Sequence, residues 1–142
     1  MLVERFCTAE RVVTDYFHKL APNTDVTWLE ASEDWDKRVE SLVQVLKRHP
    51  EERTLVFTNT VYNCRILHEY LRDAQWPVVR FSKGPKSKMG GRFADAKEFI
   101  DGRSTIMIAT ELGARGIDWP EVDHVIHFQF PNDTVQFLHR SG

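Results

Sequence analysis

Thr54-Leu55-Val56-Phe57-Thr58 is an almost unbroken apolar run of strand length, with no alternation that would leave one face to water. A strand of this kind is covered on both faces, as in a parallel sheet. A chain that contains one must also supply the helices that cover it, and the flanking sequence does. Upstream, Val39, Leu42, Val43 and Leu46 repeat at helical spacing behind Ser32-Glu33-Asp34, which offers an N-cap and an acidic first turn, and Pro50 closes the segment. Downstream, Asn59 or Thr60 can cap a second helix that sets Ile66, Leu67, Tyr70 and Leu71 on one side. Pro77 then opens a beta run through Val78, Val79 and Phe81. A basic, glycine-containing loop from Ser82 to Gly91 precedes a third helix bearing Phe93, Ala96, Phe99 and Ile100. Strands are expected at 105–109 and 123–128, and a last helix near Asp133. Asp25 to Ala31, with Val26, Trp28 and Leu29, has enough alternation to predict one more strand. This strand–helix rhythm predicts an α/β fold: an open parallel sheet with helices on both faces. Residues 1–24 read as an incoming linker or N-terminal extension, and 25–142 as the domain.

Composition narrows the function. At 142 residues the chain holds one domain's worth of core. It has no run of eighteen apolar residues and no secretory pattern near its first residue, so a soluble protein with no membrane partner is expected. Cys7 and Cys64 are far apart and form no CxxC, which points away from a zinc ribbon or redox pair and toward a reducing, intracellular compartment. Cys64 is expected to pack in a helix face. The formal net charge is −2, so any grip on nucleic acid must be local.

Several local clusters could make such a grip, each with a plainer alternative. Ser82 to Arg92 places Lys83, Lys86, Lys88 and Arg92 among three glycines, joining positive charge to open backbone; it suits a phosphodiester, or is a solvated loop. Asn59 and Thr60 follow a buried strand and start a helix, where side chains and free amides can meet an anion or simply cap. Thr110 ends the strand 105–109, either as a terminus or as a phosphate contact. Arg115-Gly116-Ile117-Asp118 follows in one tight loop; Gly116 lets backbone approach a ligand, and Asp118 suits paired ribose hydroxyls or an ordinary turn. His139 and Arg140 near the end of the last helix also complement its dipole.

Taken together, ATELGARGID at 109–118, VDHVIHFQFP and FLHRSG resemble motifs V and VI of the DEAD-box RNA helicases in order and spacing. TLVFTNT at 54–60 resembles motif IV, and Arg92 with Phe99 and Gly102 resembles the RNA-gripping motif IVa. Four ordered segments are far more specific than any one of them. The resemblance implies the second, RecA-like lobe of an ATP-dependent RNA helicase. It implies Gly116 and Asp118 for the ATP ribose; Asn59, Thr60, Gly84, Arg92 and Thr110 for the RNA backbone; and His139 and Arg140 for the catalytic region, with Arg115 structural or linking the RNA and ATP sides. It also implies ATP and Mg²⁺ held mainly by a first lobe, since this sequence has no GxxxxGK[ST] loop, and RNA, the N-terminal lobe and a regulatory protein as partners. The further motif VI arginines of the family are not in this sequence, so the chain alone is expected to be inactive.

Departures from the family pattern are Met89 in place of a glutamine, one extra residue between Gly84 and Arg92, Gln129 in place of an aspartate, and Trp119 in place of an aliphatic residue. The alternatives are an ATPase-inactive RNA- or protein-binding module derived from such a lobe, a DNA-remodelling motor of the same superfamily, and, more remotely, a flavodoxin-like small-molecule enzyme.

Overall fold

The structure, a computed structural model, describes residues 25–30, 32–82, 89–111, 119 and 122–141, without the side chains of 89–94, 138, 139 and 141. Its elements follow in the order α1 (Trp35–Arg48), β1 (Thr54–Thr58), α2 (Val61–Asp73), β2 (Val78–Phe81), α3 (Met89–Ile100), β3 (Ile106–Thr110), β4 (His124–His127) and α4 (Thr134–Ser141). The four strands form one parallel sheet in the order β2-β3-β1-β4.

The apolar run predicted as a doubly covered strand is β1, and all five of its residues are buried. Successive side chains point to opposite faces. Val56, with Ile106 and Ile108 of β3, meets Val39, Leu42 and Leu46 of α1 and Cys64, Leu67 and Leu71 of α2. Leu55 and Phe57 join Val79, Phe81, Met107 and Ala109 under Ala96 and Phe99 of α3 on the other face. Each large apolar side chain buried this way contributes roughly 1.5–3 kcal/mol of transfer free energy, so the two layers hold the sheet between them. Cys64 lies in the helix face as expected; burial pushes its thiol up to about 11, and its Sγ lies 3.4 Å from the Ile108 carbonyl. Trp119 packs edge-on against Phe81 and Phe99, and Trp35 against Phe128, so both serve the core.

Helix ends follow the local chemistry. Asp34 caps α1 by accepting from the Lys37 amide at 3.1 Å, and Thr60 caps α2 by accepting from the Asn63 amide at 3.1 Å. The Asp133 carboxylate accepts from the Gln136 amide at 2.8 Å at the start of α4.

The structure corrects four expectations. Residues 25–30 are irregular, not a strand, and Ala31 lies outside the described residues. Val26, Trp28 and Leu29 are exposed, and Trp28 instead packs its ring against Phe130 and Phe137. Helix α3 begins at Met89, so Met89 to Gly91 belong to a helix and not to the loop expected from Ser82 to Gly91. Two glycines cost a helix roughly 0.5–1 kcal/mol each, which burial of Ala96 and Phe99 later in α3 offsets. Tyr70 and Ile100 point to solvent; in α2 the buried stripe is Cys64, Leu67 and Leu71. Finally, the strands expected at 105–109 and 123–128 are Ile106–Thr110 and His124–His127.

Candidate functional site

The carboxyl ends of β3, β1 and β4 stand side by side, and open α/β sheets bind ligands outside such ends. Parallel register places Thr58 opposite Thr110, and Phe57 opposite His127. Asn59 and Thr60 leave β1, Thr110 ends β3 with Glu111 next, and Gln129 and Phe130 follow β4. Helix α4 then returns Arg140 to the same place.

Arg140 is the hub. It is 5% exposed, and one guanidinium nitrogen, Nη2, donates to Asn59 Oδ1 at 3.0 Å while Nη1 donates to the Gln129 carbonyl at 3.2 Å. Glu111 Oε2 lies 3.7 Å from Nη2 and forms an ion pair with it. The guanidinium also sits 5.3 Å over the centre of the Phe57 ring, within cation–π range. Burial pulls the Arg140 pKa below its ordinary value, and the negative charges of Glu111 and Asp133 oppose that pull. Its Nε is buried with no hydrogen-bond partner among the described residues. A buried cation held by this many groups fixes the relative positions of three strand ends.

Asn59 is held on every side. Its backbone N–H donates to Gln129 Oε1 at 3.0 Å, its Nδ2 donates to the Phe130 carbonyl at 2.8 Å, and its Oδ1 accepts from Arg140. Gln129 Oε1 accepts a second bond, from Asn63 Nδ2 at 2.9 Å. Thr60 uses an oxygen lone pair on the Asn63 amide, which leaves its hydroxyl proton available at an exposed position. His127 stacks beside Phe57 and Phe137; burial and the nearby Arg140 charge push its pKa down to about 4, so the imidazole is neutral at physiological pH.

Of the residues singled out from the sequence, Asn59, Thr60, Thr110 and Arg140 therefore converge. Arg92 lies in the first turn of α3, and its side chain is outside the described residues, as is that of His139 in α4. Gly84, Arg115, Gly116 and Asp118 also lie outside them. Among the described residues, no group of three or more His, Cys, Asp and Glu could hold a metal ion. Asn63, Glu111 and the detailed part played by Gln129 were not read from the sequence. Asn63 had a local signal, because it stands three residues after the capping Thr60, where a polar side chain commonly returns to the cap; here it reaches Gln129 instead. Glu111 had none, since its partner Arg140 is almost thirty positions away, and Gln129 stood out only as a departure from the family pattern, since the partners of its side chain are more than sixty positions away.

Residues 37–142 match the family described as "Helicase conserved C-terminal domain". The chain belongs to that family. Among relatives of this helicase C-terminal domain, DEAD-box ATP-dependent RNA helicase 22 of Arabidopsis thaliana is 31% identical over 100% of the chain and 24% of its own length. ATP-dependent RNA helicase DBP2 of Saccharomyces cerevisiae is 31% identical over 87% of the chain and 23% of its own length. The chain thus spans about a quarter of the curated relatives it matches. A solved structure of the E. coli DEAD-box protein SrmB, bound to regulator of ribonuclease activity A, has a TM-score of 0.70 at 32% identity, over 78% of this chain and 64% of that one. Domain 2 of the DEAD-box helicase Mss116p, bound to an RNA duplex, has a TM-score of 0.60 at 28% identity, over 73% and 41%. The helicase C-terminal domain described here is accordingly a DEAD-box second lobe with the RecA-like fold.

Proposed function

We propose that this lobe works within an ATP-dependent RNA helicase, gripping the RNA phosphate backbone and the ATP ribose so that closure against a first lobe on the same chain pries a short duplex apart. The observation that carries this is the convergence of Asn59, Thr60, Thr110 and Arg140 at the carboxyl ends of three parallel strands, in a chain of the DEAD-box family. The loop after β1 would present the exposed Thr60 hydroxyl to a phosphate oxygen, and Thr110, Gly84 and Arg92 would extend the grip. Contacts of this type position RNA without reading its sequence. Gly116 and Asp118 would take the ribose. The first lobe would hold the phosphates and Mg²⁺, because these 142 residues contain no GxxxxGK[ST] loop.

Arg140 would act differently from a group that touches phosphate. Its two terminal guanidinium nitrogens are engaged by Asn59, Gln129 and Glu111, so within this function it would link the RNA side of the lobe to the side facing the first lobe. A regulatory protein would be a further partner; the related SrmB structure is bound to one.

The test is RNA-stimulated ATPase activity of the full-length parent at two salt concentrations, beside Asp118→Ala and Arg92→Ala. Turnover that rises with RNA is expected, with Asp118→Ala raising the KM for ATP and Arg92→Ala raising the RNA concentration for half-maximal stimulation, each about tenfold. RNA affinity should fall as salt rises, because phosphate contacts release counterions. Salt-dependent RNA binding without turnover would overturn the helicase function in favour of an inert clamp, and stimulation by DNA alone would point to a remodelling motor.

A further inference from the structure

We infer that Gln129 is a positioning residue for RNA: its side chain sets the conformation of the β1–α2 loop from which Asn59 and Thr60 would meet the phosphate backbone. This rests on the RNA role proposed for that loop, and it adds a residue that makes no contact with RNA itself.

The geometry is specific. Gln129 Oε1 is one oxygen with two lone pairs, and it takes one donor from each side of the strand-to-helix turn: the Asn59 backbone N–H at 3.0 Å and Asn63 Nδ2 at 2.9 Å. Thr60 lies between those two anchors. The main chain around Gln129 is tied to the same turn, since the Gln129 N–H donates to the Phe57 carbonyl at 3.3 Å and the Phe130 carbonyl accepts from Asn59 Nδ2 at 2.8 Å. Arg140 closes the ring by donating to both the Gln129 carbonyl and Asn59 Oδ1. The end of β1, the loop after it and the first turn of α2 are therefore held to the loop after β4 by four hydrogen bonds and by the arginine that spans both. Three of the four use a side chain of Asn59, Asn63 or Gln129. At position 129, where the family pattern has an aspartate, one neutral amide oxygen of the glutamine accepts both bonds. A carboxylate at 129 would keep both acceptor sites and add negative charge at the mouth of the grip.

Small displacements of a positioned group cost disproportionately, because the oriented contact is lost before the fold is. Loss of the amide at 129 leaves Asn59 N–H and Asn63 Nδ2 without their acceptor while Arg140 still holds the outer side of the loop. The fold is expected to survive, and the pose of Thr60 is expected to relax.

The experiment uses the full-length parent and compares wild type, Gln129→Ala, Asn63→Ala and Gln129→Glu. It measures the RNA concentration for half-maximal ATPase stimulation, the KM for ATP, kcat at saturating RNA, and thermal unfolding as a check on folding. Gln129→Ala should raise half-saturating RNA about tenfold, with the KM for ATP and kcat within about twofold of wild type. Asn63→Ala, which removes one of the two anchors, should give a smaller shift in the same direction. Relative to wild type at the same salt, Gln129→Glu should restore the RNA response at high salt, where its charge is screened, but less fully at low salt. An unchanged RNA response in folded Gln129→Ala, or a change confined to ATP parameters, overturns the inference while the helicase function stands. Gln129→Glu behaving like Gln129→Ala at every salt also overturns it. A wild-type parent that neither binds RNA nor responds to it overturns the helicase function first, and the positioning role with it.

Discussion

At the scale of single residues, charge and burial act on each other most closely around Arg140 and His127. His127 lies on β4 beside a guanidinium that is itself buried, so protonating the imidazole would set a second cation against the first in a poorly hydrated place. Its folded pKa is about 4, against an ordinary value of 6.5. Between those two values the unfolded chain binds the proton and the folded chain does not, so stability is complete above pH 6.5 and falls as pH drops toward 4. After allowance for solvent screening, the loss from this one group is on the order of 1–2 kcal/mol. Urea unfolding at pH 7 and at pH 4.5 should show it, with His127→Asn losing less on acidification than wild type. Equal losses in the two proteins would mean that the acid sensitivity lies in other groups, His68 and His124 among them, whose pKa values burial also lowers.

At the scale of elements, two helices end in the same way with different residues. Helix α2 closes with Gln75 N–H on the Arg72 carbonyl and Trp76 N–H on the Leu71 carbonyl; α3 closes with Gly102 N–H on the Phe99 carbonyl and Arg103 N–H on the Glu98 carbonyl. Each places its turning residue in the left-handed region, Gln75 at φ 63° and Gly102 at φ 73°. Glycine adopts that region freely, whereas a side chain costs about 1–2 kcal/mol there. A Cβ on Gly102 would also come within 3.3 Å of Arg53 Nη2, which donates to the Ile100 carbonyl at 2.8 Å. Gly102→Ala should therefore destabilise by about 1–2 kcal/mol, and Gln75→Gly should stabilise by up to about 1 kcal/mol. Opposite shifts in the urea midpoint would check both at once. Gly102, which the family resemblance places in an RNA-gripping segment, thus has a complete conformational reason for its identity in this chain.

For the whole molecule, the relation between sheet order and chain order is what makes a site. Strands β1, β3 and β4 are far apart in sequence and adjacent in the sheet, and α4 must cross the end of β1 for Arg140 to reach Asn59 and Gln129. The result is a site at three strand ends, in a sequence of 142 residues that contains no GxxxxGK[ST] loop. The 142-residue chain by itself, once shown by circular dichroism to be folded, is expected to release no phosphate from ATP above the uncatalysed background, with or without RNA. RNA-stimulated release by the chain alone would contradict the proposed division of labour between two lobes.

Much of this was legible along the chain. The unbroken run at 54–58, the 3.6-residue spacing in α1 and the caps at Asp34 and Thr60 are local properties, set by side-chain period and by free amides at helix starts, and they determined the α/β class, the parallel sheet and most element positions. The ordered motifs determined the family. Local pattern failed in two places: among the described residues, 25–30 pair with no strand and leave Val26, Trp28 and Leu29 exposed, and glycines at 90 and 91 entered a helix whose later turns pack on the sheet. Tertiary structure alone decided that Arg140 faces inward, that Gln129 holds Asn59 and Asn63, and that Glu111 stands beside the guanidinium. Those contacts join residues between 11 and 81 positions apart, and no spacing rule along a chain can express which strand ends a twisted sheet will bring together.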